Sequence, residues 1–519
     1  MIAFLRRLAV CVGLLIVAAP LAAEELTKGA SPPSAAHGST KSAKPSTAPV
    51  RPLPVDATTT QVLSLASRKL DFKATAGSIQ LSDDKGAPEA DVCYIAYQLN
   101  APDAHKRPVT FVFNGGPGAG SAWLQLGAVG PWRLPINSLS PSSTPTVVDN
   151  EDTWLDFTDL VFIDPPGTGY SRIVAPGDDV RKKLWSVNGD IEALSVVVRR
   201  WLAENDRLAS PKYILGESYG GFRGPRLAEE LATKQGVGIS GLVLISPALD
   251  LGADSADVTN PLPFAVRLPS YAAAFRERSG KITRKDLEDV ENYASYDYLL
   301  DFLRGPKDAA AVGRMAQNVS QLTGINEELV KQLGGRVDKD AFLREFDRRQ
   351  GKVAAFCDVT ISAYDPEPNK YRSRWLDPVV DGFDAPFSSA IMGIYNDRLG
   401  WKIDERYELL NEVVNHSWNW GSGLEPPRAI FALQRMLALD PNFKVLISHG
   451  LTDVQTPYLG TQLLLDQIPD YGPLGRVKLK VHGGGHMHYL RDESRKALRE
   501  DARQLIEGSD SAVTTPSAE

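Results

Sequence analysis

Gly216-Glu217-Ser218-Tyr219-Gly220 is the stretch from which the rest of the sequence can be interpreted. It follows the apolar run 213–215 and precedes residues 222–231, which have the pattern of a helix. A G-x-S-x-G sequence between a strand and a helix predicts a sharp turn, whose small glycines let the serine hydroxyl stand clear of the sheet edge. Ser218 is therefore a candidate nucleophile, although these five residues alone fit an ordinary glycine-rich turn equally well.

The composition is that of a globular protein with enough apolar sequence to bury a large core. The chain has 519 residues, of which 43% are hydrophobic. Its net charge of -7 comes without a basic stripe, which argues against a nucleic-acid partner. Of the three cysteines, Cys11 lies in the first apolar segment, while Cys93 and Cys357 could form a disulfide or remain buried thiols.

The two ends of the chain have compositions that differ from the rest. Residues 1–23 combine two arginines with an apolar run that is shorter than the roughly 20 residues needed to span a bilayer. This pattern predicts a cleaved signal peptide, export to the periplasm or the medium, and no stable membrane anchor. Residues 24–60 are mostly a Ser/Pro-rich linker expected to be disordered, and 509–519 form a small-residue tail.

Short apolar runs, several of them followed by Gly- or Pro-rich turns, predict the strands of a sheet. They lie at 69–74, 79–81, 92–99, 109–113, 160–163, 213–215, 242–245, 444–447 and 477–481. A helical pattern at 190–205 separates two of these runs, and strand-helix-strand succession predicts parallel pairing. The expected fold is therefore α/β, with a central, mostly parallel sheet.

The strand pattern stops between residues 251 and 423, and most of this segment is helical or irregular in pattern. Helical spacing occurs from Thr283 onward, at 326–333 and at 339–348, whereas 364–420 has the composition of aromatic-rich loops. A structureless loop of this length inside one domain would be improbable, so a largely helical insertion, or cap, is the economical interpretation. It would divide the core into residues 61–250 and 424–508.

A serine hydroxyl becomes a good nucleophile when a base takes its proton and an acid orients that base. Asp453 directly follows the predicted strand 444–447, and His486 follows three glycines after the strand 477–481. Both should lie with Ser218 at the carboxyl edge of a parallel sheet. The order serine, aspartate, histidine is that of an α/β-hydrolase, so these three residues are the predicted catalytic triad.

Alternatives exist for two members of this triad. Asp453 could cap the helix that begins at Pro457, although Thr456 is better placed for capping. His482 and His488 compete with His486 for the role of base, and His488 is the stronger competitor. His482 and His449 are otherwise expected to be solvated or hydrogen-bonded loop residues.

A second glycine-rich stretch, Asn114-Gly115-Gly116-Pro117-Gly118, follows the predicted strand 109–113. Consecutive glycines let backbone N–H groups approach a substrate oxygen closely, as an oxyanion hole requires. A phosphate cradle is disfavoured because the lysine and hydroxyl of a P-loop are missing. Residues 236–241 match G-x-G-x-x-G but precede a strand, so no dinucleotide site is predicted. The sequence thus implies neither a cofactor nor a metal.

Taken together, the sequence resembles the serine carboxypeptidase family. The similarity rests on five segments that span both halves of the core: 114–118, Asp164-Pro165-Pro166-Gly167-Thr168-Gly169-Tyr170-Ser171, 216–221, and the loops of Asp453 and His486. The resemblance implies that the triad is Ser218, Asp453 and His486, and that the backbone N–H groups of Gly116 and Tyr219 form the oxyanion hole. It also implies a binding site for the terminal carboxylate of a peptide, made by Asn114, Gly115 and Glu217.

Three positions depart from the family pattern. Ala119 stands where many relatives have a disulfide cysteine, which fits a sparsely bridged, bacterial branch of the family. Val112 replaces a tryptophan of the carboxylate site, and His449 replaces a small residue.

The resemblance implies an exported serine-type carboxypeptidase acting on peptides with a free C-terminus. Activity should be best at acidic pH, because two facing carboxyl groups can bind only by sharing a proton. An esterase or acyltransferase, and a non-catalytic binding protein, are the alternatives. The sequence gives neither the side-chain preference nor the oligomeric state.

Overall fold

Ten strands form one mixed sheet in the computed structural model, which describes residues 51–136, 140–252, 259–370, 377–423 and 425–508. In chain order the strands are β1 (Ala57–Ser64), β2 (Lys69–Ser82), β3 (Pro88–Leu99), β4 (Val109–Phe113), β5 (Asp159–Ile163), β6 (Arg172–Ile173), β7 (Lys212–Glu217), β8 (Gly241–Ile245), β9 (Lys444–Gly450) and β10 (Val477–His482). Across the sheet the order is β1-β2-β3-β5-β4-β7-β8-β9-β10, and β6 pairs with β3.

The sheet is parallel from β5 to β10 and antiparallel at its other side. Every pair along the order β5-β4-β7-β8-β9-β10 is parallel, whereas the pairs β1-β2, β2-β3 and β3-β5 are antiparallel. The predicted α/β-hydrolase fold with a mostly parallel central sheet is thereby confirmed. Because the carboxyl ends of parallel strands share one edge, the loops after β4, β7, β9 and β10 meet there.

The sheet buries both faces against separate hydrophobic clusters. Val112 and Phe113 are neighbours in β4 but belong to different clusters, since successive side chains point to opposite faces. Outside the segment between β8 and β9, the helices are Ala122–Leu124, Asp179–Leu184, Val187–Glu204, Tyr219–Glu230, Tyr458–Leu465 and Asp492–Glu507. The parallel strands are therefore buried on both sides, which explains why their sequences are continuous apolar runs.

The chain between β8 and β9 is largely helical. Its described helices are Leu262–Ala265, Leu268–Glu277, Glu288–Ser295, Asp297–Arg304, Ala309–Thr323, Glu327–Gln332, Lys339–Phe346, Pro378–Gly393, Glu412–His416 and Ile430–Leu439. A third hydrophobic cluster joins Tyr271 and Phe342 of this segment to Val454 and Tyr458, which follow β9. The helical segment therefore packs directly on the loop that carries Asp453.

Part of this segment was predicted wrongly as loop. Residues 364–420 contain the helix Pro378–Gly393, which Asp377 caps by accepting hydrogen bonds from the N–H groups of Val379 and Val380. Gly382 and Pro386 lie inside this helix, and both residues argue against a helix in the sequence, although the buried side chains recur at helical spacing. A short hairpin of Lys352–Ala354 and Ser362–Tyr364 was also missed, because three-residue strands give no periodic signal.

Strand β2 is one continuous strand where two were predicted. The apparent break at 75–78 contains Gly77, which pairs with Tyr94 without interrupting the ladder. A Cβ atom at Gly77 would lie 2.4 Å from Oδ2 of Asp56, so the glycine makes room for that side chain. The predicted linker 24–60 is too long, because residues 57–60 belong to β1. The predicted signal peptide, the linker up to residue 50 and the tail 509–519 lie outside the described residues.

Candidate active site

Ser218 occupies the turn between β7 and the helix Tyr219–Glu230. Its backbone has φ 58° and ψ −118°. Residues other than glycine rarely adopt this strained conformation, which is typical of a nucleophile elbow. A Cβ atom at Gly216 would lie 2.1 Å from the Gly220 oxygen, and one at Gly220 would lie 2.5 Å from the Phe113 oxygen. The two glycines of the G-x-S-x-G stretch are therefore required by close backbone packing.

His486 and Asp453 form a buried hydrogen-bonded pair. Nδ1 of His486 lies 3.0 Å from Oδ2 of Asp453, and the residues are 4% and 0% exposed. This bond leaves Nε2 as the histidine nitrogen that can exchange a proton with a hydroxyl. Burial lowers the pKa of His486, but the charges of Asp453 and Glu217 outweigh burial and raise it above the ordinary value.

Asp453 is held by its own loop as well as by the histidine. Its Oδ1 accepts hydrogen bonds of 2.9 Å from the N–H groups of Gln455 and Thr456, and the Thr456 hydroxyl lies 2.8 Å from Oδ2. Burial raises the pKa of Asp453, but His486 and these donors outweigh it, so the net pKa is lowered. Thr456, which the sequence suggested as a helix cap, instead supports the carboxylate, and Pro457 precedes the helix.

The loop of His486 is fixed at both sides of its peptide unit. The N–H of His486 donates to the Cys357 oxygen at 2.5 Å, and the Ser246 hydroxyl donates to the His486 oxygen at 2.8 Å. A Cβ atom at Gly485 would lie 2.1 Å from the same Cys357 oxygen, which explains the glycine before the histidine. The segment between β8 and β9 thus supplies a direct support for the candidate base.

The competing histidines are buried away from Ser218. His488 lies 2.9 Å from the Ser448 hydroxyl through Nε2, and burial lowers its pKa well below the usual range. His449 belongs to β9 and His482 to β10, so the expectation of loop residues was wrong for both; His449 is also fully buried. Burial lowers the pKa of His449 to about 4, and its Nε2 lies 3.0 Å from the Thr461 hydroxyl.

Ser218 and His486 face one cavity of about 390 Å³ at the carboxyl edge of the sheet. Within the described part of the chain, the Ser218 hydroxyl makes no hydrogen bond to His486. Such bonds in hydrolases often tighten only in the complex with substrate. The cavity is therefore the place where a carbonyl carbon could meet the serine and the base together.

The glycine-rich loop after β4 packs against the elbow. A Cβ atom at Gly115 would lie 2.6 Å from the Tyr219 nitrogen and 2.9 Å from Cβ of Ser218. Gly116 has φ 96°, which favours glycine, and lines the cavity beside Ser218. The backbone N–H groups of Gly116 and Tyr219 donate to no other described residue, so both are able to donate to a substrate oxygen.

Glu217 lies beside the nucleophile, and its buried carboxyl group is bonded to Asn114 and Tyr489. Its Oε2 accepts hydrogen bonds from Asn114 Nδ2 at 3.0 Å and from the Tyr489 hydroxyl at 2.7 Å. Oε1 accepts none from the described residues. Burial raises the pKa of Glu217 to about 7, against the opposing effects of His486, Tyr489 and Asn114. The proton that Glu217 retains near neutral pH therefore belongs on Oε1, the oxygen that can face a ligand.

A buried ion pair holds Asn114 in place. Nε of Arg223 lies 2.7 Å from Oδ2 of Asp190. A second guanidinium nitrogen of Arg223 donates to the backbone oxygen of Asn114 at 2.8 Å. The Asn114 side-chain oxygen also accepts from the Leu124 N–H at 3.0 Å. Asn114 is therefore fixed on three sides with its amide toward Glu217.

Six of the eight predicted site residues line this cavity: Asn114, Gly115, Gly116, Glu217, Ser218 and His486. Asp453 lies behind it, bonded to His486, and Tyr219 directly follows Ser218. Tyr489 was missed because it follows His486 without any motif of its own. Cys93 and Cys357 are both buried free thiols, so the open question of a disulfide is answered in the negative. Among the described residues, no three His, Cys, Asp or Glu side chains lie close enough to hold a metal ion. No helix in the same residues is long and apolar enough to cross a membrane.

The family model of the serine carboxypeptidases matches residues 66–300. Serine carboxypeptidase-like 17 of Arabidopsis thaliana is 25% identical over 188 residues, which are 35% of this chain and 41% of the plant protein. A pheromone-processing carboxypeptidase of Yarrowia lipolytica is 32% identical over 141 residues, 27% of this chain and 21% of the yeast protein. The matches to these curated relatives thus span less than half of their length.

Among solved structures, a prohormone-processing carboxypeptidase of Saccharomyces cerevisiae has a similar fold. The TM-score is 0.52 at 16% sequence identity, and the alignment covers 84% of this chain and 90% of the yeast chain. At this identity the similarity shows the fold alone, an α/β-hydrolase fold shared over most of both chains.

Proposed function

Because this chain belongs to the serine carboxypeptidase family, we propose that it removes the last residue from peptides by serine acyl-enzyme chemistry. Ser218, His486 and Asp453 are the proposed catalytic residues. The observation that carries the proposal is the buried carboxyl group of Glu217, which is hydrogen-bonded to Asn114 and Tyr489. It lies directly beside the nucleophile, where a peptide with a free C-terminus would place its carboxylate.

The reaction begins with proton transfer from Ser218 Oγ to Nε2 of His486. Oγ bonds to the carbonyl carbon of the last peptide bond, and the N–H groups of Gly116 and Tyr219 stabilise the oxyanion. The intermediate expels the terminal amino acid as its amine takes the proton from His486. Water then attacks the ester, gives a proton to His486, and that proton returns to Oγ as the acid product leaves. Asp453 orients the imidazole throughout.

Substrate selection depends on the protonation of Glu217. A substrate carboxylate can approach a neutral carboxylic acid and accept its proton in a hydrogen bond, whereas two carboxylates would repel each other. The pKa of about 7 at Glu217 makes the neutral form available over the acidic range. Glu217 should therefore favour activity on the acidic side and cause activity to fall as the pH rises past neutrality. The raised pKa of His486 sets the opposite limit, because the imidazole must lose its proton before it can act as a base.

An esterase or acyltransferase on the same fold is the second candidate. The observation in its favour is Val112, fully buried where the family pattern has a tryptophan of the carboxylate site. Export is also part of the proposal, since residues 1–23 have the pattern of a signal peptide. N-terminal sequencing of protein recovered from cell envelope and medium would test export.

The test of the main proposal compares N-blocked Phe-Leu with a free C-terminus and the same dipeptide amide. The free acid should be cleaved about 10- to 100-fold faster, the size expected for losing a charge-assisted hydrogen bond. Ser218→Ala should abolish both reactions, which excludes a contaminating peptidase. Equal rates on the two peptides, or hydrolysis of simple esters without any peptide cleavage, would overturn the carboxypeptidase assignment in favour of the alternative.

A further inference from the structure

Residues 407–415, which we call the strap, are the part of the segment between β8 and β9 that bonds to the glycine-rich oxyanion loop after β4. The Leu409 oxygen of the strap accepts a 3.0 Å hydrogen bond from the N–H of Gly120. The N–H of Asn411 donates to the Gly118 oxygen at 2.8 Å. Two main-chain bonds therefore join the strap to the oxyanion loop.

Ala119 lies between these two bonds and connects them to the candidate oxyanion donor. It forms an antiparallel bridge with Leu410 of the strap, and its own N–H donates to the Gly115 oxygen at 3.2 Å. That oxygen belongs to the same peptide unit as the N–H of Gly116. A trans peptide unit is planar and holds its oxygen and its N–H on opposite sides. Holding the Gly115 oxygen therefore also fixes the direction of the Gly116 N–H.

Two asparagines hold the strap in place. Nδ2 of Asn411 donates to the Gly167 oxygen at 2.8 Å, and its Oδ1 accepts hydrogen bonds from N–H groups in the first turn of the helix Glu412–His416. From this helix, Nδ2 of Asn415 donates to the Pro117 oxygen at 2.9 Å. Asn411 thus orients the short helix, and Asn415 bonds that helix back to the oxyanion loop.

We propose that Asn411 and Asn415 are positioning residues, which act through the strap to keep the Gly116 N–H aimed at the oxyanion. This inference rests on the proposed function, because that N–H matters only in a reaction that forms an oxyanion beside Ser218. The oxyanion exists in the transition state and not in the bound substrate. Loss of either asparagine should therefore slow the chemical step and leave substrate binding nearly unchanged.

The experiment compares Asn415→Ala and Asn411→Ala with the wild type in two measurements. The first is the rate constant for labelling of Ser218 by a fluorophosphonate, whose phosphoryl oxygen needs the same donors. The amplitude of labelling counts the folded molecules, so a loss of stability alone does not lower the rate constant. The second is kcat and KM on N-blocked Phe-Leu. The labelling rate and kcat should each fall about 5- to 10-fold, the size of one hydrogen bond, with KM nearly unchanged.

A disulfide across the bridge tests the same inference by rescue. Residues that face each other in an antiparallel pair have Cα atoms about 4.5 to 5.5 Å apart, a distance that a disulfide spans. Ala119→Cys/Leu410→Cys is therefore added to Asn411→Ala, and mass spectrometry confirms the bond. The oxidised protein should label at least about fivefold faster than the same protein reduced by dithiothreitol. Because both sites line the cavity, the comparison is made within one protein.

Asn292→Ala is the matched control, because Asn292 is an exposed asparagine of the helix Glu288–Ser295. It should label and cleave like the wild type. A higher KM with an unchanged kcat in Asn415→Ala would overturn the inference, since that result assigns this cavity residue to substrate binding. Unchanged labelling in both asparagine variants would also overturn it.

The rescue gives two further outcomes. Equal labelling rates of the oxidised and reduced proteins would overturn the inference, and failure of the disulfide to form would remove the pairing on which it depends. A wild type that is labelled but cleaves no peptide would refute the carboxypeptidase function alone, because the labelling rates still test the strap. A wild type that is neither labelled nor active would refute both.

Discussion

The Tyr489 hydroxyl donates a 2.7 Å hydrogen bond to the carboxyl group of Glu217, although 272 positions separate the two residues. Tyr489 is fully buried three residues after the candidate base, and Glu217 directly precedes the candidate nucleophile. The bond therefore links the histidine loop to the elbow. Burial raises the pKa of Glu217, and the hydrogen bond from Tyr489 lowers it by stabilising the ionised form.

Tyr489→Phe should move the alkaline limb of the peptidase pH profile to higher pH. Removing a donor that favours the carboxylate raises the pKa of Glu217 further, so the neutral form persists longer as the pH increases. The measurement is kcat/KM on N-blocked Phe-Leu from pH 4 to 9. Tyr364→Phe, at an exposed tyrosine, is the control, and a limb that moves to lower pH in Tyr489→Phe would contradict the prediction.

Glu217→Gln should flatten the fall in peptidase activity at alkaline pH. Glutamine is neutral at every pH, so the ionisation that repels the substrate carboxylate is lost. The acid limb should remain, because His486 must still lose its proton before it can act as a base. The pH dependence of kcat/KM separates the two limbs, and a variant with the same alkaline limb as the wild type would exclude Glu217 as its cause.

Ser218→Ala should abolish labelling by a fluorophosphonate probe and reduce peptidase kcat by about 10⁶-fold. The probe reacts only with an activated serine, so labelling reports the nucleophile independently of any substrate. Ser279→Ala, at an exposed serine outside the site, should label like the wild type. Labelling that persists in Ser218→Ala would remove this residue from the proposed mechanism.

Gly115→Ala should lower kcat/KM by about 100-fold, the cost of displacing catalytic groups by roughly 1 Å. The added Cβ would meet the Tyr219 nitrogen at 2.6 Å and the Glu217 oxygen at 2.7 Å, so the elbow or the oxyanion loop must shift. Gly313→Ala is the matched control, since nothing lies within 4 Å of its added Cβ atom. Wild-type activity in Gly115→Ala would show that the loop can shift without affecting the site.

Glu217→Gln should also change how the free energy of unfolding depends on pH. In the folded protein Glu217 has a pKa of about 7, raised by burial from 4.5, so it ionises later than in the unfolded chain. Its effect on stability is therefore most favourable below pH 4.5 and is lost as the pH rises toward 7, by roughly 3 kcal/mol. The variant should lack this loss.

Urea unfolding at pH 5 and pH 7.5, followed by tryptophan fluorescence, provides the measurement. His449 acts in the opposite direction, because burial lowers its pKa from 6.5 to about 4 and stability falls as the pH drops through that range. Without the effect of Glu217, the variant should gain stability relative to the wild type at the higher pH. A difference between the two proteins that is the same at both pH values would refute the assignment.

The sheet and the order of the candidate triad could be predicted because both depend on local patterns. Strand β4 was predicted with its observed bounds, since five successive buried apolar residues are followed at once by glycines. Asp453 and His486 could be placed near Ser218 because parallel strands end at one edge of the sheet, and this placement does not depend on the conformation of the loops. The helix Pro378–Gly393 was not predicted, because Gly382 and Pro386 inside it argue against a helix and hide the spacing of its buried residues.

The sequence by itself determined the chemistry that the site can offer: a strained serine turn, an acid and a histidine after later strands, and a glycine loop. Only the tertiary structure decided which groups set its charge and protonation. Tyr489 against Glu217 and the Cys357 oxygen against the N–H of His486 are contacts between distant segments, and no local pattern encodes them. The physical reason is that burial and long-range packing fix pKa values and pocket charge, whereas residue order fixes only which groups reach the edge of the sheet.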